Sequence, residues 1–152
     1  MVKGRNRKRE QNVLVLGCSR LGASLASLCS QREESVTIVD QNEAAFVKLS
    51  PNYDGLKACG NVTDMDDLSM VHVKEMDQIF VTTNDDCTNV MCALLLRECN
   101  EHAKIFVRLI DPERKQVMDG YAIETICLDD LWVERCSSLL QKESENTQIL
   151  RR

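Results

Sequence analysis

The sequence has no long hydrophobic run. No stretch of about 18 apolar residues occurs in its 152, so nothing in it reads as a membrane span. It opens on a polar, basic segment without the apolar core of a secretory signal, and the expectation is a chain that stays in the cytosol. Histidine is scarce: only His72 and His102 are present, and none of the eight cysteines stands in a C-x-x-C spacing. A zinc site is therefore not expected. In a cytosolic chain free cysteines behave as small buried hydrophobes. Cys18 is set apart, because it falls in a glycine-bearing turn where a helix N-terminus lowers a thiol's pKa and makes it reactive. Internal repeats and low-complexity segments are absent as well.

What is present is the composition of an ordinary globular domain, 43% hydrophobic and 28% charged. A chain of this length buries roughly 68–70% of its unfolded surface and needs no covalent staples. Charge is uneven. Lys3, Arg5, Arg7, Lys8 and Arg9 against Glu10 give the first ten residues +4, which leaves −9 on the rest of a chain whose net charge is −5. An acidic body excludes nucleic acid as a partner of the fold itself. The basic arm, residues 1–11, reads either as a solvated, disordered end or as a contact for anionic lipid or an acidic partner.

Short apolar runs alternate with helix-like stretches. Strands are expected at Val13–Leu16, Ser35–Val39, within 55–60, at Gln78–Thr82, Ile105–Arg108 and near Glu124–Ile126. Helices are expected from about Leu21 to Gln31, from near Asn42 with Ala45, Phe46 and Leu49 inward, after an N-cap at Thr63, and from about Asp85 to Cys99 through Val90, Met91, Leu94 and Leu95. Asp111 and Pro112 read as N-cap and first position of a further helix. An amphipathic helix is expected from Leu131 to about Leu140, followed by a polar, frayed tail. The fold class is α/β: a Rossmann-like doubly wound parallel six-stranded sheet in a single domain, 12–130, with 131–152 as C-terminal helix and tail.

"VLVLGCSRLGASLA", residues 13–26, is nearly the dinucleotide-binding fingerprint G-x-G-x-x-G. Gly17 permits the tight turn and Gly22 the close helix–strand packing. Ser19 stands at the middle glycine. The turn, Gly17, Cys18, Ser19, Arg20, Leu21 and Gly22, presents orphan helix-start N–H groups to a phosphate, with the Arg20 guanidinium beside it. Asp40 ends the second strand 18 residues beyond Gly22, where a carboxylate accepts hydrogen bonds from ribose hydroxyls and repels a 2′-phosphate. Gln41 follows it. Gly60, Asn61, Val62 and Thr63 lie after the third strand, where an adenine would rest. Thr82, Thr83 and Asn84 offer small polar groups after the fourth, and Asp85 and Asp86 suit a helix start. Arg108 ends the fifth strand, facing a phosphate or pairing with a carboxylate such as Asp111.

Catalytic groups are missing. Tyr53 and Lys57 are separated by "DGL" in an apparent loop-to-strand region and do not read as the Tyr/Lys pair of hydride transfer. The two histidines lie in polar stretches away from the strand ends. Hydride transfer needs a positioned acid or base and a substrate pocket, so the chain reads as no enzyme. An NAD-dependent oxidoreductase and an interaction module with a decayed site are the alternatives.

"VLVLGCSRLGASLA", "VTIVDQNEAAF", "ACGNVTDMDDL", "DQIFVTTNDDCTNVMCALLLRE" and "IFVRLIDPERKQVM" together resemble the TrkA/KtrA family, the RCK N-terminal (TrkA-N) nucleotide-binding domains of potassium uptake systems. The resemblance implies a cytoplasmic regulatory subunit that binds an adenine nucleotide, ATP/ADP or NAD(H), and gates a membrane potassium transporter subunit. It implies terminal-phosphate contact for Arg20 and ribose contact for Asp40. It also implies a homo-oligomer, dimer or octameric ring, held at the inner face of the plasma membrane through its transporter partner.

Overall fold

Val13, Leu14, Val15 and Leu16 are all fully buried, as a strand covered on both faces requires. They form β1 (Asn12–Leu16), the centre of the sheet in a computed structural model that describes residues 9–150, with side chains through Lys142. Most of the basic arm lies outside the described residues.

The other strands are β2 (Ser35–Asp40), β3 (Leu56–Cys59), β4 (Gln78–Val81), β5 (Lys104–Leu109) and β6 (Ile123–Cys127). The order is β3-β2-β1-β4-β5-β6, and every pairing is parallel. This is the Rossmann-like doubly wound sheet. Strand order reverses between β1 and β4, which opens a crevice at the carboxyl ends of these strands. Register brings those ends level, because Leu16 pairs with both Val39 and Val81.

The helices are α1 (Arg20–Gln31), α2 (Met65–Met70), α3 (Asp86–Cys99) and α4 (Leu128–Leu150). Leu14, Leu16, Ile79 and Val81 pack with Leu68 of α2 and with Cys92, Ala93 and Leu96 of α3. Val13, Val15, Val36 and Ile38 face the other way, onto Ala23, Ala26 and Cys29 of α1 and onto Ala45 and Leu49. Alternate residues of one strand thus feed two separate cores.

Four local expectations change. The segments after β2 and β5 are 3-10 helices, Glu43–Lys48 and Pro112–Met118, capped by Asn42 and Asp111. Both are short connectors, where tight i→i+3 bonding suffices; the Leu49 amide closes the first onto Phe46 O. The cap of α2 is Asp64, not Thr63. The Asp64 carboxylate accepts from Asp66 N at 2.9 Å, while Thr63 Oγ1 turns to Asn61 Oδ1. Finally, α4 starts directly after β6 and runs to Leu150, where a frayed tail was expected. Residues 141–150 hold neither glycine nor proline, so nothing in the chain breaks the helix there. Among the described residues no helix is long and apolar enough to cross a membrane.

Candidate functional site

The crevice between β1 and β4 is built on two glycines. Gly17 has φ +97°, and a Cβ there would lie 2.7 Å from Thr83 N, against backbone that cannot yield. A Cβ on Gly22 would lie 2.0 Å from Gly17 O. The turn therefore seats directly on the end of β4. Thr82 locks it from below: its hydroxyl donates to Gly17 O at 2.9 Å or to Leu16 O at 3.2 Å. Thr82 was expected along the crevice; it is buried beneath it and its hydroxyl is occupied.

Ser19, at the fingerprint's middle position, has φ −68° and ψ 175°, an ordinary extended conformation. No glycine is required there. Its Oγ accepts from Gly22 N at 3.1 Å and caps α1. By position, the amides of Arg20 and Leu21 have no intrahelical acceptor, and they stand where the helix dipole favours an anion.

Asp40 sits opposite. One carboxylate oxygen accepts from Cys18 N at 2.7 Å and the other from Asn42 N at 2.8 Å. Each oxygen retains acceptor capacity, so the carboxylate is held in place by the chain and still has lone pairs for ribose hydroxyls. Cys18 is buried, its thiol donating to Ala45 O at 3.3 Å. Burial pushes the thiol pKa up, and the nearby Lys48 ammonium offsets this only in part. The expected activated cysteine is an inert one: the turn's polarity is spent on its backbone, while its sulfur faces the core.

These groups rim a cleft of about 510 Å³. Gly17, Cys18, Ser19, Asp40, Gln41, Asn61, Val62, Thr83 and Asn84 all line it, so most of the residues picked from sequence converge. Asn61 is tied down through its own amide to Asp67 Oδ2 at 2.7 Å. Asp85 caps α3 by accepting from Thr88 N at 2.7 Å, and hydrogen bonding from the Thr88 side chain first, then from its amide, holds the carboxyl below the usual range. Arg20, Leu21 and Arg108 line a second cavity of about 420 Å³ next to the first. Gly22 lines neither; its role is packing.

Arg108 does not pair with Asp111, which meets Arg114 at 3.5 Å. It donates instead to Thr83 O at 2.9 Å and Asn84 Oδ1 at 2.8 Å, while its buried Nε has no partner among the described residues. A buried donor left so costs about 1–3 kcal/mol.

Thr63, of the run expected to lie under an adenine, lines the cleft too; Lys48, Asn42, Thr88 and Met91 also line it and were not read as site residues from the sequence. Lys48 ends a 3-10 segment with no motif around it. Met91 fits the apolar helical period of α3, yet it is half exposed at the cleft. Among the described residues no three His, Cys, Asp or Glu side chains converge to hold a metal ion.

Comparison with known proteins adds kinship. The TrkA-N domain family model matches residues 13–128. The Trk system potassium uptake protein TrkA of Streptomyces coelicolor is 25% identical over 115 residues, 76% of this chain and 52% of that protein. A TrkA homolog of Methanothermobacter thermautotrophicus is 26% identical over 114 residues, 75% of this chain and 52% of that one. The chain thus spans about half the length of these curated relatives. Among solved structures, the TrkA-N domain of the Escherichia coli inner membrane protein ybaL superposes with TM-score 0.77 at 12% identity, covering 86% of this chain and 96% of that one. The GsuK channel bound to NAD gives 0.74 at 21% identity, over 90% of this chain and 24% of that one, and GsuK has also been solved bound to ADP. At these identities the superpositions speak to fold.

Proposed function

The chain belongs to the TrkA-N domain family, and from that premise we propose that it binds an adenine nucleotide, ATP/ADP or NAD(H), as the cytoplasmic regulatory subunit of a potassium uptake system. The observation that carries the reading is the single cleft in which the glycine turn and the Asp40 carboxylate face each other at the strand-order reversal. Relatives supply the setting: one is a Trk system potassium uptake protein, and a channel of the same fold is solved with NAD and with ADP.

The role is sensing without chemistry. Among the described residues lining the cleft there is no histidine or tyrosine, and the cysteine is buried with a raised pKa. The gating work comes from differential binding: a nucleotide that favours one assembly geometry shifts its population, by at most its difference in affinity between the two states. Partners under this reading are a membrane potassium transporter subunit and further copies of this chain.

Isothermal titration calorimetry with ATP, ADP, NAD and NADH tests the reading, together with mass analysis of the purified protein for a co-purifying nucleotide. Binding by at least one of them is expected. Asp40→Asn keeps one backbone acceptor but loses charge-assisted ribose contact, and is expected to weaken affinity about 10- to 100-fold. If the wild-type chain binds none of the four, the reading is wrong.

A further inference from the structure

The cleft and the second cavity share three lining residues, Ser19, Lys48 and Asn84. Two of the three are fixed: Ser19 Oγ caps α1, and Asn84 Oδ1 accepts from Arg108. Lys48 is exposed, and its Nζ donates to Cys18 O at 3.0 Å. An ammonium has three donors, so two remain for a ligand.

The charges of the two cavities differ. Lys48 is the one cation among the described residues lining the cleft, set against Asp40 and Asp85. The second cavity is lined by Arg20, Lys48 and Arg108 with no carboxylate among its described lining residues. It also holds the residue whose buried Nε lacks an acceptor. A group that only accepts hydrogen bonds and carries negative charge completes such a chamber. A phosphate oxygen is that group. The nicotinamide ring of NAD+ carries positive charge and meets three cations there.

The geometry points to Lys48 as the residue that sets the ligand class: its ammonium joins cleft and chamber into one anion path, selecting nucleoside polyphosphates over NAD+. This deepens the nucleotide reading and rests on it. A phosphate chain that starts at the glycine turn passes Lys48 on its way to Arg20 and Arg108. Each added phosphate then gains a cation, and affinity rises with phosphate number. Lys48 Nζ keeps its bond to Cys18 O, which holds the ammonium at the junction, and its two remaining donors meet the incoming phosphate.

Calorimetry with AMP, ADP, ATP and NAD+ on the wild type, Lys48→Met and Lys48→Arg tests this. Methionine keeps the apolar stem and removes the charge, and a thermal melt checks that each variant is folded. The wild type is expected to bind ATP at least about tenfold tighter than AMP, and tighter than NAD+. Lys48→Met is expected to lose that gain for ATP while AMP binding changes little, and Lys48→Arg to keep most of it. An unchanged AMP-to-ATP ladder in Lys48→Met overturns the assignment and leaves nucleotide binding standing. Tightest binding of NAD+ by the wild type does the same. Wild-type protein that binds no adenine nucleotide at all overturns the underlying reading, and this assignment with it.

Discussion

Asn89 is fully buried, and all of its hydrogen-bonding capacity is used. Its Oδ1 accepts from Thr83 N at 3.1 Å and Thr83 Oγ1 at 2.6 Å; its Nδ2 donates to Thr83 O and Arg108 O, each at 3.0 Å. One side chain on α3 thereby ties the end of β4 to the end of β5, the two strand ends that wall the site. Replacing it by leucine takes the side-chain partner from Thr83 N and from Arg108 O, while Thr83 O keeps Arg108 Nη1; a backbone group left so in the interior costs about 1–3 kcal/mol. Asn89→Leu is expected to lower the urea midpoint by an amount worth about 2 kcal/mol or more, and an unchanged midpoint removes the tie. The thiols make a second prediction. Burial raises the pKa of Cys18, Cys29 and Cys92, the last to about 12 from 9.0. Above 9.0 the unfolded chain releases protons that the folded chain keeps, so stability is fully present below that pH and falls as pH rises toward 12. Urea unfolding under reductant at pH 8 and pH 10 should show the decline, shallower in Cys92→Ala. A flat profile contradicts the burial of these thiols. Burial of the cysteines was expected from the sequence, but which of them are buried, and the tie made by Asn89, were not legible there. Asn89 is a polar residue in the middle of a helix and Cys92 a generic apolar one, and only the fold shows what surrounds them.

Elements were legible where burial on both faces leaves a mark. β1, β2, β4 and β5 are near-continuous apolar runs, and each was expected within a residue or two of where it lies. The same logic exposed the glycine turn, since only glycine tolerates φ +97° with backbone 2.7 Å from the missing Cβ. The short connectors were less legible. A 3-10 turn and one turn of α-helix share the same caps and the same apolar spacing over six residues. The extension of α4 was unreadable because its composition is polar, and polarity alone separates a solvated helix poorly from a loop. The fingerprint's middle serine shows how a motif misleads. It reads as a defect, yet it is an N-cap in relaxed backbone. Ser19→Gly is therefore expected to cost only a few tenths of a kcal/mol and to leave nucleotide affinity within a fewfold of wild type. Gly22→Ala, whose Cβ would lie 2.0 Å from Gly17 O, is expected to cost about 1–3 kcal/mol or more and to abolish binding. Melting curves and titrations of the pair decide it: equal behaviour of the two variants would mean that the turn is not seated on β4 as described.

At the scale of the whole molecule the unresolved tension is α4. Its 23 residues span about 35 Å at 1.5 Å per residue, and its described side chains, through Lys142, are largely in water. Trp132 is 73% exposed, Val133 66% and Leu139 45%. Trp132, Cys136 and Leu139 fall at i, i+4 and i+7, along one face. Its first turn carries Asp129 and Asp130, and farther along come Glu134, Arg135 and Lys142. A second copy of the same helix, laid antiparallel across a two-fold axis, would set apolar face against apolar face; such an isologous contact needs no other partner. This is the self-association that the proposed function requires. Trp132 is the chain's single tryptophan, so its fluorescence reports on this face alone. As protein concentration rises, the emission is expected to shift to shorter wavelength while sedimentation moves from monomer to dimer. Leu139→Asp is expected to hold both at their dilute values without changing the melting of the sheet domain. If emission stays that of an exposed indole while the protein sediments as a dimer, the copies meet elsewhere and α4 takes no part in the contact.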